Sequence, residues 1–238
     1  MEGMKRFSDK LFDLAVVDLE YGIGASKPSV KPCQVVQKNG NKLFVNSNKH
    51  KPKEWDFKMS LPCYFDELFR ISKNQIIWGG FYYGLAGGGI VWDKLNGESD
   101  QFDCEIAFQS FNKRTDLVYY MWSGMFQGEY CGRDIRRALK QQGDKRLNEE
   151  RIHPTQKPVK LYDWIYKNYL PQGGKVIDTH LGSGSNRIAA DKSGNIDFYG
   201  WEIDKDYFDA HEKRWRDYKS PLNFTTGYTR TTYHKEVK

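Results

Sequence analysis

Apolar residues along the chain gather into short runs between polar and glycine-rich stretches, and the period of those runs changes from one end to the other. Leu14-Ala-Val-Val-Asp18 is a continuous apolar run closed by an acid, the pattern of a buried parallel strand at its C-terminal end. Asn74-Gln-Ile-Ile-Trp78 and Gly89-Ile-Val-Trp92 read as two further strands, with Gly79–Gly89 between them as a flexible, aromatic loop. Cys104-Glu-Ile-Ala-Phe108 and Asp116-Leu-Val-Tyr-Tyr120 are predicted to pair as a hairpin. Residues 123–152 are polar, basic and punctuated by glycine without a clear period, which predicts a loop-rich insert.

The C-terminal third is more regular. From Val159 to Leu170 the apolar residues Leu161, Trp164, Ile165 and Tyr169 fall at helical spacing, and Pro171-Gln-Gly-Gly stops the helix. Lys175-Val-Ile-Asp178 predicts a strand, Gly182-Ser-Gly-Ser185 a turn, and Asn186–Ser193 a helix. Asp197–Glu202 and Lys205–Asp217 repeat the strand and the helix. Strand, turn, helix, strand, helix is half of a nucleotide-binding α/β sheet. The Thr/Tyr-rich tail from Ser220 is expected to add an edge strand or to stay loose.

Composition narrows the class. The chain has 238 residues, 39% hydrophobic and 29% charged, enough for one α/β domain with a buried core. No apolar run approaches the roughly 18 residues that span a bilayer, so no membrane partner is expected. Met1-Glu-Gly-Met-Lys-Arg-Phe has no apolar stretch behind its bases, so no secretory signal is expected either. Cys33, Cys63, Cys104 and Cys131 lie far apart with no metal-ligand spacing, as free thiols in a reducing cytoplasm would. No metal site is expected.

The net charge is only +6, but its placement is uneven. Arg133, Arg136, Arg137, Lys140, Lys145, Arg146, Arg151, Lys157 and Lys160 are opposed in that stretch by Asp134, Asp144, Glu149 and Glu150 alone. Clustered cations suit a phosphate backbone, and a solvated face is the competing reading.

Asp178-Thr-His-Leu-Gly-Ser-Gly-Ser185 joins a predicted strand to a predicted helix. Its glycines let backbone approach a ligand, and the helix start supplies free N–H groups. Glu202, 24 residues beyond Asp178 at the end of the next strand, is placed to take the ribose hydroxyls of an adenosine. Dinucleotide oxidoreductases use similar geometry, but the spacing here is not GxGxxG.

Taken together, Arg151-Ile-His-Pro-Thr-Gln-Lys-Pro-Val159, Asp178–Ser185 and Gly200-Trp-Glu-Ile-Asp204-Lys-Asp-Tyr-Phe208 resemble the C-terminal block of the amino-group DNA methyltransferases. The likeness is dense over residues 151–210 and looser over 12–24 and 74–94. The motif order resembles the circularly permuted group, with the catalytic motif first and the cofactor loop last. Trp122-Ser-Gly-Met-Phe-Gln-Gly128 resembles a segment of phage-type members.

The resemblance implies a Rossmann-like, S-adenosylmethionine-dependent methyltransferase fold: a mostly parallel sheet with helices on both faces. It implies a single domain over 1–238 with a small target-recognition insert at 110–150. It places Gly182, Ser183, Gly184 and Ser185 along the methionine portion of the cofactor and Glu202 on its ribose. Asp178 and Asp18 fall in the same site, and Thr155, Gln156, Lys157 and Pro158 border the adenosyl end.

Asp18-Leu-Glu-Tyr-Gly22 resembles the family's Asp-Pro-Pro-Tyr motif. By that resemblance the Asp18 carboxylate and the Leu19 carbonyl accept the N–H groups of a target amine, and Tyr21 stacks on a flipped base. The leading Asp points to adenine N6, with cytosine N4 as the alternative. Both prolines of the motif are absent, which leaves open a catalytically weak DNA- and cofactor-binding relative. Thr179-His180 likewise replaces a usual Pro-Phe. Trp78 is expected in the core, with Tyr82 and Tyr83 left open, and neither His153 nor His180 is given a chemical role. Double-stranded DNA is the implied partner, with Arg133, Arg136, Arg137 and Lys140 on its phosphates. A homodimer and a companion restriction endonuclease are partners the resemblance allows.

Overall fold

In the computed structural model of the chain, the described residues are 2–21, 33–36, 42–45, 62–95, 102–122, 127–129 and 148–220. The described strands are β1 (Phe12–Asp18), β2 (Cys33–Val36), β3 (Lys42–Val45), β4 (Ser72–Trp78), β5 (Gly88–Asp93), β6 (Cys104–Gln109), β7 (Thr115–Trp122), β8 (Gln127–Glu129), β9 (Gly174–Asp178) and β10 (Ile196–Gly200). The helices are α1 (Pro62–Ile71), α2 (Val159–Tyr169), α3 (Ser185–Ser193) and α4 (Lys205–Lys219).

Eight strands form one sheet in the order β10-β9-β1-β4-β6-β5-β7-β8, and β2 pairs with β3 in a separate antiparallel ribbon. Only β6 and β8 run against the other strands of the large sheet. The sheet is thus mostly parallel, as the strand–turn–helix pattern predicts.

The apolar runs explain the layers. On β1, Leu14 and Val16 face one core while Ala15 and Val17 face the other, the two-residue period of a strand buried on both sides. Leu161, Tyr162, Ile165 and Tyr166 of α2 and Ile188, Ala189 and Ala190 of α3 close the first core. Tyr64, Phe65, Leu68 and Ile71 of α1 close the second. This helix is absent from the elements expected above, although the spacing of its apolar residues is helical.

The expected hairpin of Cys104–Phe108 with Asp116–Tyr120 does not form. β5 lies between them, antiparallel to β6 and parallel to β7. Gly88, Gly89, Ile90 and Val91 satisfy both neighbours' backbone groups at once, an option invisible to a rule that pairs adjacent runs. Gly79–Gly89 is more ordered than expected, with a 3-10 turn at Gly80–Tyr83 and its last two residues inside β5. β7 and β8 fall within the stretch 110–150. Most of that stretch, including Arg133, Arg136, Arg137 and Lys140, lies outside the described residues, as does the tail beyond Ser220.

From β9 the chain continues to β10 on one side, while β1 is followed on the other side by β4. The order therefore reverses between β9 and β1. In open α/β sheets this reversal opens a crevice at the carboxyl ends of the strands. Asp18, Trp78, Asp178 and Gly200 all end their strands there.

Candidate functional site

Two half-sites flank the reversal. The first is built on Asp18. Lys157, which precedes α2, places Nζ 2.5 Å from Asp18 Oδ1 and 2.9 Å from Glu105 Oε2. Lys94 Nζ lies 2.5 Å from the other Glu105 oxygen. The Tyr21 hydroxyl sits among them, 3.2 Å from Asp18 Oδ1, 3.0 Å from Glu105 Oε2 and 3.1 Å from Lys157 Nζ. Two carboxylates and two ammonium groups therefore balance inside one cluster. The Lys157 side chain is 1% exposed, and its ammonium also lies over the rings of Tyr21 and Trp78.

Burial and pairing set the charges. Burial pushes the Asp18 carboxyl up from its ordinary value, and Lys157 opposes that rise. Burial would also raise Glu105, but Lys157 and Lys94 bring it down to about 2. Lys157 is held above the ordinary lysine value: burial works against its charge, and Asp18 and Glu105 outweigh that. Tyr21 is raised well above 10 by burial and by the two carboxylates, so it stays a neutral donor. Asp18 is an ionised acceptor because Lys157 is there.

Tyr21 stands against Gly79, whose φ of +71° suits glycine. A Cβ at Gly79 would meet the Tyr21 ring at 2.2 Å. Tyr82, 58% exposed, tilts 33° to Tyr21 with ring centroids 5.3 Å apart and forms the outer wall. Trp78 is fully buried, as expected. Tyr83 is partly covered, packing on Phe65 and donating to the Glu20 carbonyl at 2.6 Å. Leu19 is buried in the core beside α1.

The second half-site is the turn after β9. Asp178 Oδ1 accepts from the His180 N–H at 2.9 Å, and Oδ2 accepts from Asn186 Nδ2 at 2.8 Å. The same Asn186 amide reaches the Val16 carbonyl at 3.2 Å, so α3 staples β9 to β1. Burial raises the Asp178 carboxyl to about 7, against those two hydrogen bonds. Glu202 accepts from the Gly182 N–H and the Asp204 N–H, both at 2.8 Å. Burial raises its carboxyl above the ordinary value.

The Ser183 and Ser185 hydroxyls turn inward. They lie 3.1 Å apart, and Arg214 of α4 bonds the Ser183 carbonyl and Ser185 Oγ at 2.9 Å each. Arg214 also pairs with Glu149 at 2.9 Å, and Glu149 caps α2 by accepting from the Val159 N–H. Gly184, at φ +72°, brings the turn close to His211, where a Cβ would sit 3.1 Å from the ring.

Residues 153–158 run between the half-sites. His153 is the nearest side chain to Gly182, about 3.9 Å from where a Cβ would be. Thr155 Oγ1 bonds His153 Nδ1 at 3.1 Å. The Gln156 side chain holds its own loop, donating to the Glu150 carbonyl and accepting from the Ile152 N–H. Pro158 precedes the first turn of α2. Lys157 points the other way, to Asp18. The structure thus gathers Asp18, Tyr21 and Lys157 in one cluster, and Asp178, Gly182, Ser183, Gly184, Ser185 and Glu202 in the other. Sequence reasoning missed Glu105, Lys94 and Arg214. Each is an isolated charge in its own element, without a local signal. Among the described residues no group of side chains could hold a metal ion, and no helix is long and apolar enough to cross a membrane.

The fold and the crevice define an open α/β sheet that takes a ligand at its strand ends. A family model of DNA methylases acting on N6 or N4 amino groups matches residues 26–213, and the chain belongs to that family. No curated protein matches the chain. Among solved structures, M1.HpyAVI in complex with SAM is 16% identical, with a TM-score of 0.47, covering 89% of this chain and 91% of that one. TTHA0409, a DNA modification methylase of Thermus thermophilus by its description, is 14% identical, with a TM-score of 0.46, covering 95% and 93%. The PvuII DNA methyltransferase, cytosine-N4-specific, is 11% identical, with a TM-score of 0.47, covering 89% and 82%. The family assignment rests on the sequence match.

Proposed function

We propose that this chain transfers a methyl group from S-adenosylmethionine to N6 of an adenine flipped out of duplex DNA. The observation that carries this reading is an acceptor carboxylate, Asp18, kept ionised by Lys157 at the strand end beside the β9 glycine turn. The residues present fit the cofactor. Each Glu202 oxygen already accepts one backbone N–H and keeps a second lone pair for a ribose hydroxyl. Open space above Gly182 admits the ligand, since a Cβ there would have no neighbour closer than 3.9 Å.

When bound, the cofactor supplies a methyl group already activated on a sulfonium, so the protein's task is orientation. Asp18 Oδ1 is engaged by Lys157 and Tyr21, which leaves Oδ2 for one N–H of the amine. The Leu19 carbonyl accepts the other. Both acceptors direct the nitrogen lone pair toward the methyl group and favour the positive charge that develops on nitrogen. After transfer the extra proton leaves nitrogen by way of the Asp18 side. Tyr21 and Tyr82 form the aromatic wall for the extruded base. Arg133, Arg136, Arg137 and Lys140, in the 110–150 recognition stretch, hold DNA phosphates.

The test is labelled methyl transfer to mixed duplex DNA, with mass spectrometry of the released nucleosides and Asp18→Ala as control. N6-methyladenine, lost in the control, is the expected product. N4-methylcytosine would overturn the choice of base. Binding of cofactor and DNA without any product would overturn the catalytic reading.

A further inference from the structure

The two places where this chain departs from the family's motif pattern meet in space. Glu20 stands where a proline would follow Asp18, and Thr179-His180 stands where Pro-Phe would follow Asp178. Glu20 Oε1 lies 3.6 Å from His180 Nε2, with the two side chains only 17% and 26% exposed. The departures sit on different loops, one carrying the base-holding carboxylate and the other the cofactor turn.

The surroundings fix the direction of this contact. Thr179 Oγ1 lies 2.9 Å from His180 Nδ1 and 2.6 Å from the Tyr64 hydroxyl. Tyr64 comes from α1 and packs edge-on to the His180 ring at 5.5 Å. Burial lowers His180 to about 4, so the ring is neutral near pH 7 and carries one proton. If that proton were on Nδ1, the bare Nε2 would face the Glu20 carboxylate, a repulsive arrangement. We therefore assign the Nε2–H tautomer. Tyr64 donates to Thr179, Thr179 donates to Nδ1, and Nε2–H points at Glu20. On the far side, the Tyr83 hydroxyl donates to the Glu20 carbonyl and holds the backbone of that loop.

We propose that Glu20 and His180 are positioning residues that couple the base loop to the cofactor loop, so that filling one half-site tightens the other. The inference rests on the methyl-transfer reading above. A proline pair would stiffen the Asp18 loop by restricting its own backbone. Here a cross-loop polar contact, anchored by Tyr64 and Tyr83, takes that role. At 3.6 Å the contact is longer than a formed hydrogen bond, and a shift of about half an ångström in either loop closes it. A contact that forms only when the loops draw together links the two binding events, because each ligand prepays part of the other's closure.

The experiment measures linkage without turnover. The affinity for a duplex that the wild-type chain methylates is determined with and without S-adenosylhomocysteine. The proteins are wild type, Glu20→Gln, Glu20→Ala, His180→Ala and the Glu20→Ala/His180→Ala double variant. In the wild type the cofactor product should tighten DNA binding by about fivefold or more, within the usual range of coupling between sites. Glu20→Gln keeps an acceptor for Nε2–H and should keep the effect. Both alanine variants should lose it, and the double variant should lose no more than either one. Coupling unchanged in both alanine variants, with or without a lower melting temperature, overturns the proposal while leaving the functional reading intact. A wild-type chain that binds both ligands without coupling overturns it equally. A wild-type chain that methylates no duplex overturns the functional reading, and this inference with it.

Discussion

Replacing Lys157 with methionine removes the one cation shared by Asp18 and Glu105 while keeping most of the buried volume. At an effective dielectric of about 20, unit charges 2.5 Å and 2.9 Å apart attract by about 7 and 6 kcal/mol. Desolvating an ammonium that is 1% exposed offsets much of this. The net loss on breaking such a pair is about 3–5 kcal/mol, because two carboxylates remain buried beside each other with only Lys94. Asp18 then responds as a buried acid without its partner. Burial already pushes its carboxyl up, and losing Lys157 removes the largest opposing influence. Near neutral pH a growing fraction of the variant holds Asp18 protonated, and a protonated carboxyl is a poor acceptor for the amine. Loss of that acceptor corresponds to about 10²–10³ in rate, by analogy with removal of one oxyanion-hole donor. Single-turnover methyl transfer at saturating cofactor and DNA, followed across pH, reads this directly. Lys157→Met should be slow at pH 7 and partly recover at higher pH as Asp18 ionises. Adding Glu105→Gln should restore part of the lost stability in chemical denaturation, since it removes one of the two stranded charges. Turnover within about threefold of wild type, with an unmoved pH profile, would refute the reasoning that Lys157 maintains the Asp18 charge.

Four other expectations test separate parts of the structure. Glu202→Ala should weaken cofactor binding in calorimetry more than it slows single-turnover transfer, because bonds to a ribose are equally present before and during the reaction. Reversing the charges of Arg133, Arg136 and Arg137 together should weaken DNA binding and flatten its salt dependence, and an unchanged salt slope would remove this segment from the interface. Gly79→Ala should disturb Tyr21, since the added Cβ would meet its ring at 2.2 Å and the backbone sits at φ +71°; a drop in melting temperature of several degrees together with slower transfer is the expected result. Asp178 and Glu105 should give opposite pH signatures in carboxyl NMR and denaturation. Asp178, raised to about 7 from its ordinary 3.8, stabilises fully below pH 3.8 and loses that stabilisation as pH rises to about 7. Glu105, lowered to about 2 from 4.5, stabilises fully above pH 4.5 and loses that as pH falls to about 2.

What could be read from the chain alone follows the range of the interactions involved. β1, β4, β9, β10, α2, α3 and α4 were legible because each carries its own period and its own stop signal. The glycine turn with its acid 24 residues later was legible because both sit at fixed offsets along one strand–turn–helix unit. The helix α1 was equally local, with Tyr64, Phe65, Leu68 and Ile71 on one face, and was passed over although its signal was present. The partner choices of β5, β6 and β7 were not legible. Any two neighbouring apolar runs can satisfy the hairpin pattern, and only competition for backbone partners across the whole sheet put β5 between the other two. The same limit applies to the chemistry. Asp18, Lys94, Glu105 and Lys157 come from four separated parts of the chain, and a charge has no periodicity that reports its partner. Folding β1, β5, β6 and the start of α2 against one another brought those charges into a place that water largely leaves. There each became viable only through the others, and an acid that the sequence could name was given the ionised state its proposed role requires.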